Sequence, residues 1–426
     1  MKLASDLNSI LQIQKSIEND IKDYVDTSKA RNQYLIKKIQ FFLKANSNMP
    51  QKILFSGQRG SGKSIILKQL SNILEPDFYT VNLSISKEID VSNLVYIDII
   101  IMIFSKIMNE LKKQDTRLDP SILDRLYRYL HDEKLIALLK FNKSEAGDET
   151  GTKVGYIRAI SNSIKGVLAA SLGMKDQIRL YLEPKLTQLI KGTNDIINAL
   201  QNIVNKQNKS LLFIIDDLDK MEIDQAGNMF FYHSNILTNF QMHIIYTYPL
   251  ELNYHEMFNR ISQNFNMIES LKMIKTITKN GIKNEKAFET IEKIINNRIN
   301  NDLFAPDVIN YFIEKSGGSL NDLFKMIIEA ALNSLCLEDK PQYISLHAAK
   351  QAYLRVKNNY EISLHVSSLP LETISKYYDS LINKQFRIDD IFINLLKKNL
   401  LLEYEDDNDG IWYDFHPAVK DIFKIK

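Results

Sequence analysis

The pattern of hydrophobic and polar positions separates short apolar segments, which predict strands, from longer periodic segments, which predict helices. Four short segments are rich in aliphatic, aromatic or β-branched residues and are bounded by polar, glycine or proline residues: 52–56, 78–85, 209–215 and 243–248. Apolar runs of this length are typical of strands buried on both faces of a parallel sheet. Because helical periodicity fills the stretches between them, the pattern predicts an α/β fold.

Helical patterns account for most of the remaining chain. Residues 5–46 predict one or two amphipathic helices, and residues 284–357 predict a further helical group. Between about 92 and 207 the pattern is largely helical, and the polar, glycine-containing stretch 143–153 predicts an exposed loop there. The C-terminal end predicts, in order, helices at 370–383 and 388–399, a hairpin at 400–415 and a helix at 417–425.

Composition narrows the class of protein without pointing to a partner. The chain has 426 residues, of which 45% are hydrophobic and 25% charged, so we expect a folded protein of two or three domains. Its formal net charge of +2 provides no global basic field for nucleic acid. The sole cysteine, Cys336, excludes an intramolecular disulfide and is expected to be a small buried hydrophobe. Without a signal-peptide core or a membrane-length apolar run, we predict a cytoplasmic protein with no membrane partner.

The segment Gly57–Ser64 reads G-Q-R-G-S-G-K-S and matches the phosphate-loop pattern G-x-x-x-x-G-K-S/T at every fixed position. It follows a predicted strand and opens a predicted helix at about 62–74, which is the context that the pattern requires. Glycines let consecutive backbone N–H groups surround the phosphates, and the helix N-terminus adds the positive end of its dipole. The sequence therefore predicts an ATP site, with these nucleotide-binding residues: Gly57, Gln58, Arg59, Gly60, Ser61, Gly62, Lys63, Ser64 and Ile65.

Two residues of this loop have specific chemical roles in the prediction. The ammonium group of Lys63 would neutralise the β- and γ-phosphates, and this residue is a predicted catalytic group. The hydroxyl group of Ser64 would be a ligand of Mg²⁺. We therefore predict ATP and Mg²⁺ as the cofactors.

The second half of the predicted site is the acidic end of the 209–215 segment. Asp216 would hold Mg²⁺, either directly or through water, and Asp217 would polarise the attacking water. Asp219 completes a D-D-L-D pattern and is as well explained by a turn as by a site role. Thr247 ends the next predicted strand and is the third predicted catalytic residue, placed to contact the γ-phosphate or its water. His243 and His416 are expected to be packed core histidines.

The order of these motifs resembles that of a known group of ATPases. The phosphate loop, the F-I-I-D-D-L-D-K strand end, the Thr247 strand and the S-G-G-S-L-N-D-L segment at 316–323 follow one another. Together they resemble the AAA+/STAND group of P-loop ATPases, in particular bacterial relatives of the initiator-type (origin-recognition-like) ATPases. The resemblance covers roughly residues 25–425, although the specific motifs occupy four short stretches.

The resemblance implies a P-loop αβα core with a helical insertion, a small helical lid domain and a C-terminal winged helix. The implied domains are N-terminal helices at 1–50, the ATPase core at 51–283 with its insertion at about 92–207, the lid at 284–368 and the winged helix at 369–426.

The resemblance also suggests where arginines should act, and the sequence departs from it at one position. Asn321 stands where the family places a lid arginine that reaches the γ-phosphate, and asparagine cannot supply that charge. Either Lys325 replaces it, or the lid couples weakly to the phosphate and hydrolysis is slow. Arg260 and Arg298 are candidates for an arginine finger supplied to a neighbouring subunit. Arg31 lies in the segment where such ATPases hold the base and is expected to line that pocket.

The charge of the predicted winged helix disfavours binding to duplex DNA. Acidic side chains exceed basic ones by about three from Leu369 to Lys426, and a phosphate backbone would be repelled by the predicted wing. The acidic residues of that wing are Glu403, Glu405, Asp406, Asp407 and Asp409. A protein-contact or autoinhibitory module fits this charge better.

The motifs and the resemblance together lead to three functional hypotheses. The first is a Mg²⁺-ATP-driven conformational switch that controls a partner protein in a bacterial defence or regulatory system. The alternative is a DNA-associated loader or remodeller that oligomerises on nucleic acid. The third is a nucleotide-binding scaffold that hardly hydrolyses ATP.

Overall fold

The computed structural model describes most of the chain, and the loop predicted at 143–153 lies outside the described residues. Described are residues 3–13, 23–114, 172–337, 339, 341–366, 370–382, 386–406 and 410–423. Contacts between residues divide the chain into two compact units. The sheet unit contains the described residues of Phe41–Phe55 and Leu74–Ile268. The phosphate-loop unit contains those of Met1–Gln40, Ser56–Ile73 and Glu269–Lys426.

A five-stranded sheet has the strand order β2-β3-β4-β1-β5. The strands are β1 (Lys52–Gly57), β2 (Phe78–Ser84), β3 (Ser210–Asp216), β4 (His243–Thr247) and β5 (Met267–Leu271). Strands β2 and β3, β3 and β4, and β4 and β1 pair in parallel, with Ile214 opposite Ile245 and Phe55 opposite Thr247. The parallel sheet with helices confirms the predicted α/β class.

The four strands predicted from apolar runs are present to within one residue at each end, whereas β5 was missed. Residues of β3 and β4 are almost entirely buried, so their sequences are continuously apolar. Strand β5 is only partly buried along four of its five residues, and it contains Glu269 and Ser270. Because a partly exposed strand accepts polar residues, the sequence lacked an apolar run there.

The α-helices of the described residues are as follows, in chain order. The first ten are α1 (Leu7–Ile10), α2 (Ser28–Arg31), α3 (Leu35–Ala45), α4 (Lys63–Leu74), α5 (Tyr96–Lys113), α6 (Leu172–Leu182), α7 (Leu186–Asn205), α8 (Ile223–Gly227), α9 (Ser234–Thr238) and α10 (Phe258–Asn264). They are followed by α11 (Glu285–Asn296), α12 (Val308–Ser316), α13 (Leu320–Leu335), α14 (Leu346–Val366), α15 (Leu371–Ile382), α16 (Asp390–Lys397) and α17 (Pro417–Phe423).

The core of the sheet unit forms between the strands and two long amphipathic helices. Helix α5 buries a nearly continuous apolar face that includes Ile99, Ile103 and Phe104, and it packs against α7. These residues join Phe213 and Ile215 of β3 in one apolar cluster. None of the helices in the described part of the chain combines the length and the apolar character that a membrane span requires.

The phosphate-loop unit contains an antiparallel hairpin near its C-terminus, formed by β6 (Leu401–Asp406) and β7 (Gly410–Phe415). We call β6 and β7 the C-terminal hairpin. Leu401 pairs with Phe415 and Tyr404 pairs with Trp412. The hairpin and the helices before and after it, α15, α16 and α17, occur where the sequence predicted them. Cys336, however, is exposed rather than buried, because it caps the end of α13 beyond the buried face of that helix.

Candidate nucleotide site

The phosphate loop has the backbone conformation that its glycines allow. Gly60 and Gly62 have φ angles of +87° and +94°, which side-chain-bearing residues rarely adopt. A Cβ atom on Gly60 would lie 2.7 Å from the Oγ of Ser319, so the close approach of this segment also requires glycine. Helix α4 begins at Lys63, and the backbone N–H groups of Ile65 and Ile66 donate to the carbonyl of Gly62. The loop therefore leads directly into a helix N-terminus.

The side chains at the start of α4 are placed differently. Lys63 is buried, and its Nζ donates to the carbonyl oxygens of Gly57 and, at 3.1 Å, Gln58. Ser64, the predicted Mg²⁺ ligand, is exposed in the first turn of the helix. An exposed hydroxyl group at this position is available to a bound cation.

Arg31 is a buried cation that holds the phosphate loop. It is 2% exposed, and its Nη2 donates to the carbonyl of Ser61 at 2.5 Å. Its Nε donates to the Oγ1 of Thr27 at 2.9 Å, and its Nη1 donates to the carbonyl of Lys272. Burial lowers the pKa of Arg31 to about 9. These neutral acceptors fix the guanidinium group without cancelling its charge, so an anion nearby would be stabilised.

Two adjoining cavities lie beside Arg31. The larger has a volume of about 280 Å³ and lies among the segment 24–40, α4 and Leu271. The smaller, of about 30 Å³, includes the phosphate-loop residues Ser61 and Gly62. Residues that line both cavities are Tyr24, Thr27, Arg31 and Ile66. Arg31 and Ile65 therefore lie beside cavities next to the phosphate loop, where the sequence analysis expected the base.

In the sheet unit, Asp216 ends β3 and Asp217 adopts a left-handed conformation with φ of +79°. The carboxylate of Asp217 accepts from the hydroxyl groups of Ser84 at 2.5 Å and Ser86 at 2.7 Å, and it forms an ion pair with Lys220 at 2.6 Å. Burial raises the pKa of Asp217, but the hydrogen bonds from Lys220, Ser84 and Ser86 outweigh this effect and lower it. A lowered pKa keeps this group ionised and makes it a weak base.

Thr247 links two strand ends of the sheet unit. It is fully buried, and its Oγ1 accepts from the backbone N–H of Leu218 at 3.0 Å. The same hydroxyl group donates to the carbonyl of Ile215 at 3.4 Å. Thr247 thus orients the turn that carries Asp216 and Asp217. His243, at the other end of β4, is buried as predicted, with its Nδ1 accepting from the N–H of Gln51.

Four residues considered for contacts with the γ-phosphate occupy distinct environments: Asn321 and Lys325 for the lid position, and Arg260 and Arg298 as arginine-finger candidates. Asn321 lies in the first turn of α13, beside Gly60, while Lys325 of the same helix is exposed. Arg298 is 5% exposed and lines the smaller cavity, and its Nη1 donates to the carbonyl of Ile294. Arg260 is exposed, with its guanidinium carbon 5.9 Å from the centre of the Tyr232 ring. Burial of Arg298 makes it unavailable to a neighbouring subunit in this conformation.

The acidic residues of the C-terminal hairpin that the structure describes are bound by partners within the phosphate-loop unit. Glu403 is 1% exposed and forms an ion pair with Lys272, which is also buried. Asp406 forms an ion pair with Lys275, and Glu405 accepts from the Nε2 of Gln33 at 2.5 Å. Glu403 is therefore buried, whereas Glu405 and Asp406 are half-buried, and basic or amide partners within the same unit bind all three. Asp407 and Asp409 lie outside the described residues.

A second buried polar cluster surrounds Asp322 of α13. The hydroxyl group of Tyr360 donates to its Oδ2 at 2.9 Å, and the Nε2 of His416 lies 3.5 Å from the same oxygen. Burial raises the pKa of Asp322, but contacts with His416, Ser319 and Tyr360 lower it overall. His416 is fully buried, as predicted, and stacks on the ring of Tyr360. This cluster could not be predicted from the sequence, because its members lie far apart along the chain.

A family model described as the KAP family P-loop domain matches residues 31–300. The match confirms the P-loop NTPase class that the phosphate loop and the acidic strand end predict. No curated protein matches the chain.

Three solved structures that the chain resembles have TM-scores below 0.5. Cdc6p from Pyrobaculum aerophilum is 8% identical with a TM-score of 0.43, and the match covers 96% of this chain and 97% of that chain. ORC1 from Aeropyrum pernix in complex with DNA is 11% identical with a TM-score of 0.40, covering 95% and 94%. Drosophila ORC bound to DNA is 9% identical with a TM-score of 0.38, covering 98% and 91%.

Proposed function

Because the chain belongs to the KAP family of P-loop NTPases, we propose that it binds Mg²⁺-ATP at Gly57–Ser64 and hydrolyses it. The cycle serves as a conformational switch that controls a partner protein. The observation that carries the proposal is the loop itself, whose glycines adopt positive φ angles and which leads into the N-terminus of α4 with Lys63 at its first position. This arrangement binds phosphate through backbone N–H groups, a lysine and a helix dipole.

The remaining groups have the following proposed roles. The base and ribose lie along the segment Tyr24–Arg31, beside the two cavities. The larger cavity has space for a nucleoside, whereas the smaller must widen. The charge of Arg31 and the ammonium of Lys63 favour the polyphosphate. Ser64 is proposed as one Mg²⁺ ligand and, from the sequence motif, Asp216 as another, and the ion would neutralise charge on the phosphates.

The proposed role of Asp217 is to orient the attacking water rather than to remove its proton fully. Hydrogen bonds from Ser84 and Ser86 and the ion pair with Lys220 hold its carboxylate in place and lower its pKa. An oriented, ionised carboxylate accepts a hydrogen bond from water and directs its lone pair. Thr247 is proposed to support the turn that carries Asp217.

The finer architecture of the switch is also a proposal. Helices α11, α12, α13 and α14 fall in the proposed lid at 284–368. Helices and a two-stranded hairpin at 369–426 provide the elements of a winged helix. The excess of about three acidic side chains from Leu369 to Lys426 supports a role for this segment in contacts with protein, rather than with phosphate backbones, and the ion pairs of Glu403 and Asp406 hold its hairpin within the phosphate-loop unit.

The test is ATP binding and turnover by the full chain in the presence of Mg²⁺, over a range of protein concentrations. We expect Lys63→Ala to lose both binding and turnover, whereas Lys68→Ala, on the same helix but outside the loop, keeps both. We expect Asp217→Asn to bind ATP but to lose turnover by about 100-fold or more.

Three outcomes would decide between the hypotheses. Absence of ATP binding by the wild-type chain would contradict the proposal. Binding without turnover at any concentration would leave a nucleotide-binding scaffold. Duplex DNA binding that weakens steeply with salt would instead favour the DNA-associated alternative.

A further inference from the structure

Gln58, at a variable position of the phosphate loop, is bonded to the C-terminal hairpin. Its side chain is 4% exposed. The amide Nε2 donates to the carbonyl of Leu401 at 2.7 Å, and the amide Oε1 accepts from the backbone N–H of Glu403 at 2.8 Å. A carbonyl group only accepts and an N–H group only donates, so these two partners fix the orientation of the amide. Both ends of the side chain are therefore used to bind one strand.

A second contact joins the neighbouring loop residue to the segment just before that strand. The side-chain amide of Asn399 donates to the carbonyl of Arg59 at 3.0 Å. Asn399 has a φ of +55°, a left-handed conformation that asparagine tolerates better than most residues. The loop is thus attached to the hairpin segment at two consecutive residues.

The hairpin is itself fixed within the phosphate-loop unit on both sides of these contacts. The backbone N–H of Met273 donates to the carbonyl of Glu403 at 3.0 Å, and the side chain of Glu403 pairs with Lys272. The hydroxyl group of Tyr404 donates to the carbonyl of Gly317 at 2.7 Å. A shift of β6 would break several of these bonds together, so the strand is a firm support for the loop.

The same loop residues contact the lysine that is proposed to bind phosphate. The Nζ of Lys63 donates to the carbonyl oxygens of Gly57 and Gln58. The backbone of Gln58 thus contacts Lys63, while its side chain contacts β6. A contiguous set of hydrogen bonds joins the phosphate-binding ammonium group to the hairpin.

We infer that Gln58 is a positioning residue that couples the phosphate loop to the C-terminal hairpin. By hairpin seating we mean that β6 keeps its hydrogen bonds to the loop and to the rest of the unit, and nucleotide binding and hairpin seating then stabilise each other. The inference rests on the proposed function of the loop as an ATP site. The hairpin holds the loop ordered before ATP arrives, and this lowers the entropic cost of binding. Because such coupling is reciprocal, bound ATP must in turn stabilise the hairpin.

The chain contains its own reporter of hairpin seating. Trp412 is the single tryptophan. It lies on β7, is 7% exposed, and stacks on the ring of Tyr404 with centroids 4.7 Å apart. Since Tyr404 bonds to Gly317, movement of the hairpin changes the surroundings of the indole ring. Fluorescence of the full chain therefore follows the hairpin, while calorimetric titration with Mg²⁺-ATP follows binding.

The main variant is Gln58→Met, which keeps the side-chain length and removes the hydrogen bonds to Leu401 and Glu403, together with a longer one of 3.4 Å to the carbonyl of Leu396. We expect its affinity for ATP to fall by about 5- to 150-fold, the usual range of coupling between two sites. We also expect the ATP-dependent change in Trp412 fluorescence, present in the wild type, to be lost at saturating ATP. A residue that only supported the fold would not remove that nucleotide-dependent signal. Gln351→Met, at an exposed position of α14, is the matched control.

A milder variant keeps the inference testable if Gln58→Met does not fold. Asn399→Gly removes the bond to Arg59 but tolerates the left-handed backbone, so we expect a smaller loss of ATP affinity in the same direction. Asn208→Gly is its control, because Asn208 is exposed and has a φ of +56° in the sheet unit. We expect the control to bind ATP like the wild type.

The outcomes separate this inference from the proposed function. If the wild-type chain binds no ATP, the proposed function fails and the inference fails with it. If it binds ATP but Gln58→Met binds equally or more tightly, the inference alone is overturned. An ATP-dependent Trp412 signal that is absent from the wild type, or unchanged in Gln58→Met, also overturns it.

Discussion

The central strands of the sheet unit and the surroundings of the phosphate loop are stabilised by different kinds of buried side chain. The central strands of the sheet unit bury aliphatic and aromatic residues such as Phe213, Ile215 and Ile244, each with no exposed surface. The phosphate-loop unit also has an apolar core, but around the loop it buries charged or polar groups that contact one another or the backbone: Arg31, Gln58, Lys272, Asp322, Glu403 and His416.

The difference teaches which interactions depend on specific partners. Burial of apolar surface is not directional, so a strand such as β3 needs only apolar residues of suitable size. A buried charge costs several kcal/mol unless a partner compensates it, so Lys272 and Glu403 depend on each other. Substitutions in the two units should therefore fail for different reasons, and this can be measured.

The largest expected effect is the loss of stability caused by a cavity in the sheet unit. We expect Phe213→Ala to lower the free energy of unfolding by about 4 kcal/mol, because Phe213 is fully buried on a central strand and its neighbours cannot fill the space. Urea unfolding followed by circular dichroism measures the change. Phe41→Ala is the control, since Phe41 belongs to the same unit and is 68% exposed. If both variants lost the same free energy of unfolding, burial of apolar side chains would not explain the stability of the sheet unit.

The second-largest expected effect is the loss of stability caused by an unpaired buried charge in the phosphate-loop unit. We expect Glu403→Ala to lower the free energy of unfolding by about 3 kcal/mol, because it leaves Lys272 buried without its carboxylate. Trp412 fluorescence during urea unfolding reports on this unit. Unlike a cavity, this loss should be relieved by a second substitution, and we expect the double variant Lys272→Met with Glu403→Leu to recover most of it.

An exposed ion pair of the same unit is the control for this prediction. Glu372 and Lys376 of α15 are 78% and 74% exposed and lie 2.7 Å apart. We expect Glu372→Ala to change stability by no more than about 0.5 kcal/mol. A double variant of Lys272 and Glu403 that was less stable than Glu403→Ala would show that the cost comes from lost packing instead.

The same difference explains how much the sequence could predict. The strands β1 to β4 and the phosphate loop were predictable because their signals are local: an apolar run, or a fixed spacing of glycine, lysine and serine. The roles of Gln58 and Glu403 were not, because each depends on a partner far away in the chain. Gln58 occupies a variable position of the motif, and the local composition around Glu403 gives no sign that its partner is Lys272.

The smallest expected effect concerns Lys52. This buried lysine of the sheet unit can be compared with Lys272 of the phosphate-loop unit, which has a carboxylate partner. It begins β1 in the sheet unit, is 3% exposed, and its Nζ donates to the carbonyl of Met242 at 2.8 Å. Among the residues that the structure describes, no carboxylate forms an ion pair with it. Burial lowers the pKa of Lys52 from 10.5 to about 8. Lys52 thus has a neutral carbonyl as its partner whereas Lys272 has a carboxylate, although burial lowers the pKa of Lys272 to about 8 as well.

The sign of the pH dependence follows from this shift. Between about pH 8 and 10.5 the unfolded chain keeps a proton on Lys52 that the folded chain has released, so this residue makes stability rise with pH. From pH 7 to 9 the gain should be about 1 kcal/mol. We expect Lys52→Met to lack this gain, so the difference in unfolding free energy between wild type and variant should change by that amount over this range. Urea unfolding of both proteins at pH 7, 8 and 9 measures it, and a pH-independent difference would mean that the lysine is compensated after all.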